Sequence, residues 1–257
     1  MLLTDGNPNT TEDLRVYESA VLDVSNGEMI NLDTKLTLAT EEISEQVLNI
    51  LLDHTSMALG GDMRRRAAGV SDVVVTRQLK RWHALHTLAI FYRDAFNNQL
   101  NDRYQVKWNE YKELARGARE TTLRFGIGLV TVPVPEAAPP TLGSAPGLLP
   151  SAVYYARVSW VSSTGSEGTP SVASAFETPS GSLLTVANSA TPPAIVTGFN
   201  VYAGYSADST RVQNSSPIPL GQTFTIAASG LVTNSALAGA GQNPDYYITG
   251  GSLIRRG

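Results

Sequence analysis

Two histidines three residues apart are the side chains best placed for metal chemistry. His83 and His86 share one face of a predicted helix, near enough for both imidazoles to bind one ion. The only other histidine is His54, the sequence has no cysteine, and no glutamate follows the pair in the spacing of zinc peptidases. A complete metal centre would therefore need carboxylates from elsewhere in the chain. We expect the protein to bind no metal and no cofactor.

The motifs of other enzyme classes are missing from the sequence. There is no GxSxG elbow, and Gly126-Ile127-Gly128 lacks the lysine and the preceding strand of a phosphate-binding loop. Asp5-Gly6-Asn7-Pro8-Asn9 is similar to half of a calcium-binding loop, but it has no downstream acid for the bidentate position, so a turn is the better interpretation. We therefore predict a structural or binding protein that is not an enzyme.

Four aromatic residues offer a different kind of chemistry. Trp82, Tyr92, Trp108 and Tyr111 could form a platform on which nucleic-acid bases stack. Aromatic side chains at helical spacing form a protein core far more often. We therefore expect these four to be core residues.

A long amphipathic helix must carry the histidines. After Thr76, apolar residues recur at steps of three and four, namely Leu79, Trp82, Leu85, Leu88, Ala89, Tyr92, Ala95 and Phe96. The polar run 97–102 ends this helix and offers Asn101 or Asp102 as the cap of a second one, which Gly126 ends with a positive φ. The short connection predicts an antiparallel hairpin of two long helices.

Shorter helical segments precede the hairpin. One begins at Thr10 or Thr11 and ends at Asn26-Gly27. Another begins at Asp33 or Thr40 and ends near His54, and a glycine-containing loop follows. These segments and the hairpin together predict an N-terminal helical bundle.

The distribution of charge divides the chain in two. It carries 19 basic and 23 acidic residues, of which only nine follow Phe125. We infer a helical domain over 1–130, a proline-rich linker over 131–150, a β-domain over 151–230 and a loosely ordered tail over 231–257. The N-terminus lacks the features of a signal peptide and no stretch is long and apolar enough for a membrane span, so we expect a soluble cytoplasmic product.

The β-domain is predicted from a change of period to two. Val153–Val161 alternates as a strand, and further short candidates bounded by turn residues lie at 171–176, 182–186, 197–202, 211–213 and 222–226. Six or seven short strands indicate a small β-sandwich. The predicted fold is thus α + β in two domains.

Opposite charges on the helical segments suggest contacts between copies. Acidic residues cluster at Glu41, Glu42 and Glu45, and basic residues cluster at Arg64, Arg65 and Arg66 and again at Arg77, Lys80 and Arg81. A molecule with one acidic and one basic flank can stack head to tail on its copies and close a ring. The alternative is a solvated basic loop without a partner.

The order of the helical segments resembles that of a known viral family. Leu36–Ile43, the basic loop, Gln78–Leu85, Ala89–Ala95 and Asp102–Tyr111 look like the head-to-tail adaptor (connector) proteins of tailed bacteriophages. The resemblance covers residues 10–125. It implies a virion protein of the neck, made in the host cytoplasm, that forms a ring of about twelve copies beneath the portal protein. Such a ring lengthens the DNA channel toward downstream neck and tail proteins and can contact channel DNA.

The second domain resembles fibronectin type III and immunoglobulin-like modules of phage structural proteins. The likeness lies in Tyr154–Val161, Gly165–Ser171 and Gly198–Gly204. Most simple adaptors lack such a module, so another neck component is also compatible with the sequence.

These resemblances and the charges give specific candidate contacts. Glu41, Glu42 and Glu45 are expected to face Arg64, Arg65, Arg66 or Arg77 of a neighbouring copy, with some of the arginines near portal or DNA. The C-terminal Ile254, Arg255 and Arg256 are candidates for contact with a neck partner. The alternative function is a carbohydrate-binding or other tail or decoration protein, in which Trp160, Tyr202 and Tyr205 of the β-domain stack on sugar rings.

Overall fold

The computed structural model of the chain describes residues 1–58 and 68–249. The fold is α+β, with helices in the N-terminal part and antiparallel β-sheets in the C-terminal part. The chain divides into two compact units. The helical unit comprises residues 6–131 and the chain from Asn243 onward, and the β unit comprises residues 1–5 and 132–242.

The helical unit contains five α-helices within the described ranges: α1 Thr11–Arg15, α2 Val21–Glu28, α3 Leu32–Ala58, α4 Arg77–Gln99 and α5 Asp102–Phe125. The strands of the two units are β1 Ile127–Leu129, β2 Thr141–Pro146, β3 Ala152–Ser162, β4 Ser174–Thr178, β5 Ser182–Ala187, β6 Val196–Gly204, β7 Arg211–Val212, β8 Ile218–Pro219, β9 Thr223–Thr225 and β10 Tyr246–Ile248. Strands β1 and β10 belong to the helical unit and pair with each other antiparallel.

The predicted hairpin is α4 and α5, and local capping groups set its ends. Thr76 caps α4 by accepting a hydrogen bond from the N–H of Leu79, and Asn101 caps α5 by accepting one from Arg103. Leu100, between the helices, has a φ of 48°. Gly126, after α5, has a φ of 102°, a backbone conformation that glycine adopts without strain.

Packing of α4 against its neighbours forms the core of the helical unit. Trp82, Leu88, Phe91 and Tyr92 of α4 are almost completely buried. The rings of Tyr92 and Tyr111 stack with their centroids 5.6 Å apart and their planes at 4°.

The segment before α3 differs from the single helix expected over 10–27. It forms the two helices α1 and α2, and the intervening residues turn sharply as the N–H groups of Tyr17 and Glu18 donate to the carbonyl of Leu14. This turn aims the Glu18 carboxylate at α5, where the Lys107 ammonium and the Tyr111 hydroxyl donate to it at 2.8 and 2.9 Å. A long-range contact therefore interrupts a locally plausible helix.

The β unit consists of two antiparallel sheets that share one core. One sheet has the order β2-β5-β9 and the other the order β4-β3-β6-β7, with β8 also paired to β6. Alternate residues of β3 and β6 point into the core and meet residues of β5, including Tyr154, Val158, Phe199, Val201 and Leu184. The arrangement is sandwich-like.

Two segments differ from their predicted roles. The proline-rich stretch 131–150, expected to be a linker, contains β2, whose proline lies on an edge strand where no ladder hydrogen bond is needed. The segment 231–257, expected to be loosely ordered, contains β10, in which Ile248 pairs with Ile127 of β1. Residues 250–257 lie outside the described part of the chain.

No helix within residues 1–58 and 68–249 combines the length and the apolar character needed to cross a bilayer.

Candidate interaction surfaces

The two histidines of the main helix contact different partners. His83 is completely buried, and its Nδ1 lies 2.9 Å from the Asn9 amide nitrogen, while its Nε2 lies 3.1 Å from the carbonyl oxygen of Leu36. His86 instead points to Glu42, with 2.6 Å between Nε2 and the carboxylate. Among the described residues, no group of three or more His, Asp and Glu side chains could hold a metal ion.

The hydrogen bonds of His83 fix its protonation state. The Asn9 amide nitrogen can only donate, so Nδ1 accepts and the single ring proton is on Nε2, where the Leu36 carbonyl accepts it. Burial is the largest cause that lowers the pKa of His83, from 6.5 to about 4, and the nearby His86 and Lys80 lower it further. His83 is therefore a neutral core residue that holds α4 to α3 and to the segment before α1.

An acidic and apolar stripe runs along the outer face of α3. Glu41, Glu45, Leu48 and Leu52 are all exposed and follow one another at steps of four, three and four residues. The buried residues of α3, such as Ile43 and Val47, lie on the opposite face. We call these four residues the α3 seam.

Glu42 does not belong to the α3 seam. The sequence predicts that it acts together with Glu41 and Glu45, but it lies on a different side of the helix and pairs with His86 in its own chain.

A basic and apolar groove lies between α4 and α5. Its volume is about 800 Å³, and its lining includes Arg77 and Arg81 of α4, Leu114 and Phe125 of α5, and Tyr17. We call it the α4–α5 groove. Within the described part of the chain, neither arginine has a carboxylate at ion-pair distance, and Phe125 is 60% exposed. The groove thus combines charged groups that lack an ion-pair partner in the described chain with exposed apolar groups, as the α3 seam does.

A second, smaller cavity lies on the other flank of α5, between α3, α4 and α5. Its volume is about 310 Å³, its floor includes Trp82 and Ile90, and its rim carries Arg93 of α4 and Lys112, Arg116 and Arg119 of α5. Glu42 and Gln46 of α3 form the opposite wall. We call this cavity the basic cleft.

The remaining predicted contact residues fall into two groups. Arg77 lies in the α4–α5 groove and Lys80 pairs with Asp13 at 3.2 Å. Arg64, Arg65 and Arg66, and likewise Ile254, Arg255 and Arg256, lie outside the described residues.

The aromatic platforms considered from the sequence are mostly buried. Trp82, Tyr92 and Tyr111 belong to the core of the helical unit, and Trp108 is half-buried against Phe96. In the β unit, Trp160 and Tyr202 are 6% and 5% exposed, so only Tyr205 of the three proposed sugar-stacking residues presents its ring to solvent. The hydroxyl of Tyr202 donates to Glu167 at 2.5 Å, and burial together with this bond raises its pKa.

The charge pattern of the sequence does not identify Leu48, Leu52, Leu114 and Phe125 as exposed residues of these two surfaces. Leu48 and Leu52 could have been found, because they continue the four- and three-residue steps that begin at Glu41 and Glu45. The exposure of Leu114 and Phe125 depends on which side of α5 packs on α4, which the periodic pattern alone leaves open.

Comparison with protein-family models, curated proteins and solved structures finds no match to this chain.

Proposed function

We propose that the protein is a structural assembly protein of the head-to-tail adaptor type, whose copies join into a ring through their helical units. The observation that carries this proposal is the presence, in one unit, of two unpaired surfaces with complementary chemistry. The α3 seam offers two carboxylates and two leucines, and the α4–α5 groove offers two arginines beside Leu114 and Phe125.

The two surfaces also match in length. Both the α3 seam from Glu41 to Leu52 and the α5 side of the groove from Leu114 to Phe125 span eleven residue steps, about 16 Å of helix. Steps of four and three residues are the spacing at which helices pack along a narrow seam. An α3 seam can therefore lie along the groove of a neighbour over its whole length.

A glycine in the groove supports close helix approach. Gly117 lies in the middle of α5 among the lining residues, and a methyl group placed there would meet, beyond the adjacent backbone of α5 and the two neighbouring residues, no described atom within 4 Å. Glycine inside a helix costs about 1 kcal/mol relative to alanine, so the position is destabilising for the isolated chain. Close contact with a helix of a neighbouring copy would explain why a glycine occupies this position.

The geometry of such an interface favours rings or filaments over dimers. The α3 seam contributes nothing to the described lining of the α4–α5 groove, so the two partners in each contact are different surfaces. A contact between different surfaces leaves one of each free on the outer copies, and it closes only when the rotation between copies allows a ring.

The resemblance of residues 10–125 to phage connectors supplies the rest of the proposal. A ring of about twelve copies at the virion neck would bind the portal protein on one side and downstream neck or tail proteins on the other, around the DNA channel. The β unit is proposed to be a fibronectin type III or immunoglobulin-like module. Its two antiparallel sheets with a shared core support this assignment.

Native mass spectrometry with charge-swapped variants tests the proposal. The wild-type chain should give one closed oligomer of uniform mass. The pair Glu41→Arg/Glu45→Arg and the pair Arg77→Glu/Arg81→Glu should each yield monomers, because the seam and the groove then carry like charges. Mixing the two pairs should restore assembly, because each altered surface then meets its complement.

The exposed Glu120 of α5 provides the control, since it lies outside the groove lining. Glu120→Arg should leave the oligomer unchanged. A wild-type chain that stays monomeric at every concentration, or rings that survive both charge-reversed pairs, would contradict the proposal. Negative-stain imaging of the oligomer mixed with the portal protein then tests the position at the neck.

A further inference from the structure

The basic cleft carries more positive charge than its own chain neutralises. Arg116 pairs with Glu113 at 2.5 Å and Arg93 lies 3.6 Å from Asp94, which Lys35 also contacts. Arg119 donates from Nε to the side-chain oxygen of Gln46 at 2.7 Å, a neutral partner. In the described ranges, neither Arg119 nor Lys112 has a carboxylate at ion-pair distance.

Among the described residues that line the cleft, the one carboxylate already has a partner in its own chain. Glu42 lines the cleft, but its Oε2 lies 2.6 Å from Nε2 of His86. The cleft therefore presents an excess of cationic groups that attracts an anionic partner.

The floor of the cleft is apolar and deep enough for a side chain. Trp82, Ala89, Ile90 and Ala115 line it and are each less than a tenth exposed. A volume of about 310 Å³ is at the lower limit of the range for ligand pockets, roughly enough for one or two side chains. An occupant must combine an apolar group of that size with negative charge around it.

The surroundings favour a peptide over a nucleic acid. The Trp108 ring stacks on Phe96 and lies beneath Nζ of Lys112 at 5.9 Å, so it is a poor platform for a base. The Glu42 carboxylate in the wall and the Glu113 carboxylate beside Arg116 would repel a phosphodiester backbone, whereas separate acidic side chains can avoid them.

We infer that the basic cleft is a docking site for an acidic segment of a partner protein. The segment inserts one large apolar side chain against Ile90 and Trp82, and its carboxylates pair with Lys112, Arg93 and Arg119 at the rim. Such apolar anchoring with charged flanks is a common mode of peptide recognition by grooves between helices. This site lies on the flank of α5 opposite to the α4–α5 groove.

Selection from a phage-displayed random dodecapeptide library on the immobilised full-length chain tests the inference. Enriched sequences should be acidic and contain one large apolar residue. A synthetic, fluorescein-labelled peptide of the enriched sequence should then bind in fluorescence anisotropy, and raising the salt concentration should weaken its binding.

Two substitutions on one helix locate the site. Lys112→Glu should weaken peptide binding at least tenfold, because it reverses the charge of an exposed rim residue that makes no ion pair among the described residues. Arg124→Glu, on the same helix but outside the cleft lining, should change the affinity less than twofold. Circular dichroism of both variants should show the wild-type helix content.

Several outcomes would overturn the inference. These are a library that enriches no acidic sequence, equal effects of the two substitutions, or displacement of the peptide by a 15-residue oligothymidylate, which would identify a nucleic-acid site. Loss of the oligomer on Lys112→Glu would show that another copy of the chain occupies the cleft. If instead the oligomer is absent in the wild type while Lys112→Glu still abolishes peptide binding, the ring proposal fails and the cleft inference stands.

Discussion

The Asn9 side-chain amide donates a hydrogen bond to Nδ1 of His83 at 2.9 Å, and this contact joins the segment before α1 to the buried centre of α4. The same amide nitrogen lies 2.7 Å from the carbonyl oxygen of Lys80. Because Asn9 donates to both acceptors, protonation of His83 at Nδ1 would set two donors against each other.

Acid should therefore destabilise the helical unit through His83. The pKa of His83 is lowered to about 4 in the folded chain, so the unfolded chain binds a proton below about pH 6.5 that the native state excludes. The stability from neutral His83 is complete above pH 6.5 and is lost as the pH falls toward 4. Urea unfolding at pH 7.5 and 4.5 should show a loss of about 2–3 kcal/mol from this group.

Two substitutions identify the histidine responsible. His83→Gln, which can still donate to the Leu36 carbonyl, should lack that part of the acid loss, whereas His86→Gln at the more accessible histidine should retain it. Equal acid sensitivity of the wild type and His83→Gln would contradict the assignment.

Replacement of Glu18 by alanine should destabilise the helical unit strongly. Its carboxylate accepts from Lys107 and Tyr111, and although burial alone would raise the pKa of Glu18, these donors lower it. Removing the acceptor takes away the shorter contact of each donor and leaves Tyr111 only the Tyr17 carbonyl at 3.3 Å and Lys107 only Glu110 at 3.9 Å, a cost of about 2 kcal/mol. Glu12→Ala, which removes an exposed ion pair with Arg15, should cost less than about 0.5 kcal/mol in the same chemical denaturation assay.

Gly117→Ala should raise the stability of the chain while weakening its assembly. Alanine should stabilise α5 by about 1 kcal/mol in thermal unfolding, because, apart from the adjacent backbone of α5 and the two neighbouring residues, no atom of the described chain lies within 4 Å of the added methyl group. The same methyl group lies on the floor of the α4–α5 groove and should raise the concentration needed for oligomer formation. A variant that is more stable and assembles normally would remove Gly117 from the proposed interface.

Gly168→Ala should disrupt the β unit through a steric clash. A methyl group there would lie 2.5 Å from the carbonyl oxygen of Pro135 and 2.8 Å from that of Val134, and both acceptors are backbone atoms that cannot move easily. We expect a loss of more than about 2 kcal/mol. Gly165→Ala, at a turn residue with a φ of 82° and open space around it, should cost only about 1 kcal/mol. Similar losses for the two variants would argue against the clash.

The sequence predicted those elements whose signals are local. The bounds of α4 and α5 follow from Thr76, Asn101 and Gly126, and the bounds of β3, β5 and β6 follow from alternation between turn residues. Glu41 and Glu45 of the α3 seam are recognisable from the charge pattern of the sequence, whereas Leu48 and Leu52 are not.

Features that depend on distant contacts were not predicted. Strand β2 lies in a stretch whose prolines indicate an extended connector, and it is defined only by its pairing with β5. The break between α1 and α2 contains Glu18, which contacts α5. The basic cleft needs three helices to meet, so its rim residues looked like ordinary solvated charges in the sequence.

The pairing of β1 with β10 makes residues 132–242 of the β unit an insertion within the helical unit. The Thr131 N–H donates to the Asp245 carboxylate at 2.8 Å across 114 residues of sequence, so the chain leaves and re-enters the helical unit at neighbouring points. Closing so long a loop costs considerable entropy while the inserted residues are unfolded, and much less once they have collapsed. The pairing of β1 with β10 in the helical unit should therefore form late during folding. Exchange of the insert for a short turn between β1 and β10 would turn this late step into an early, local one.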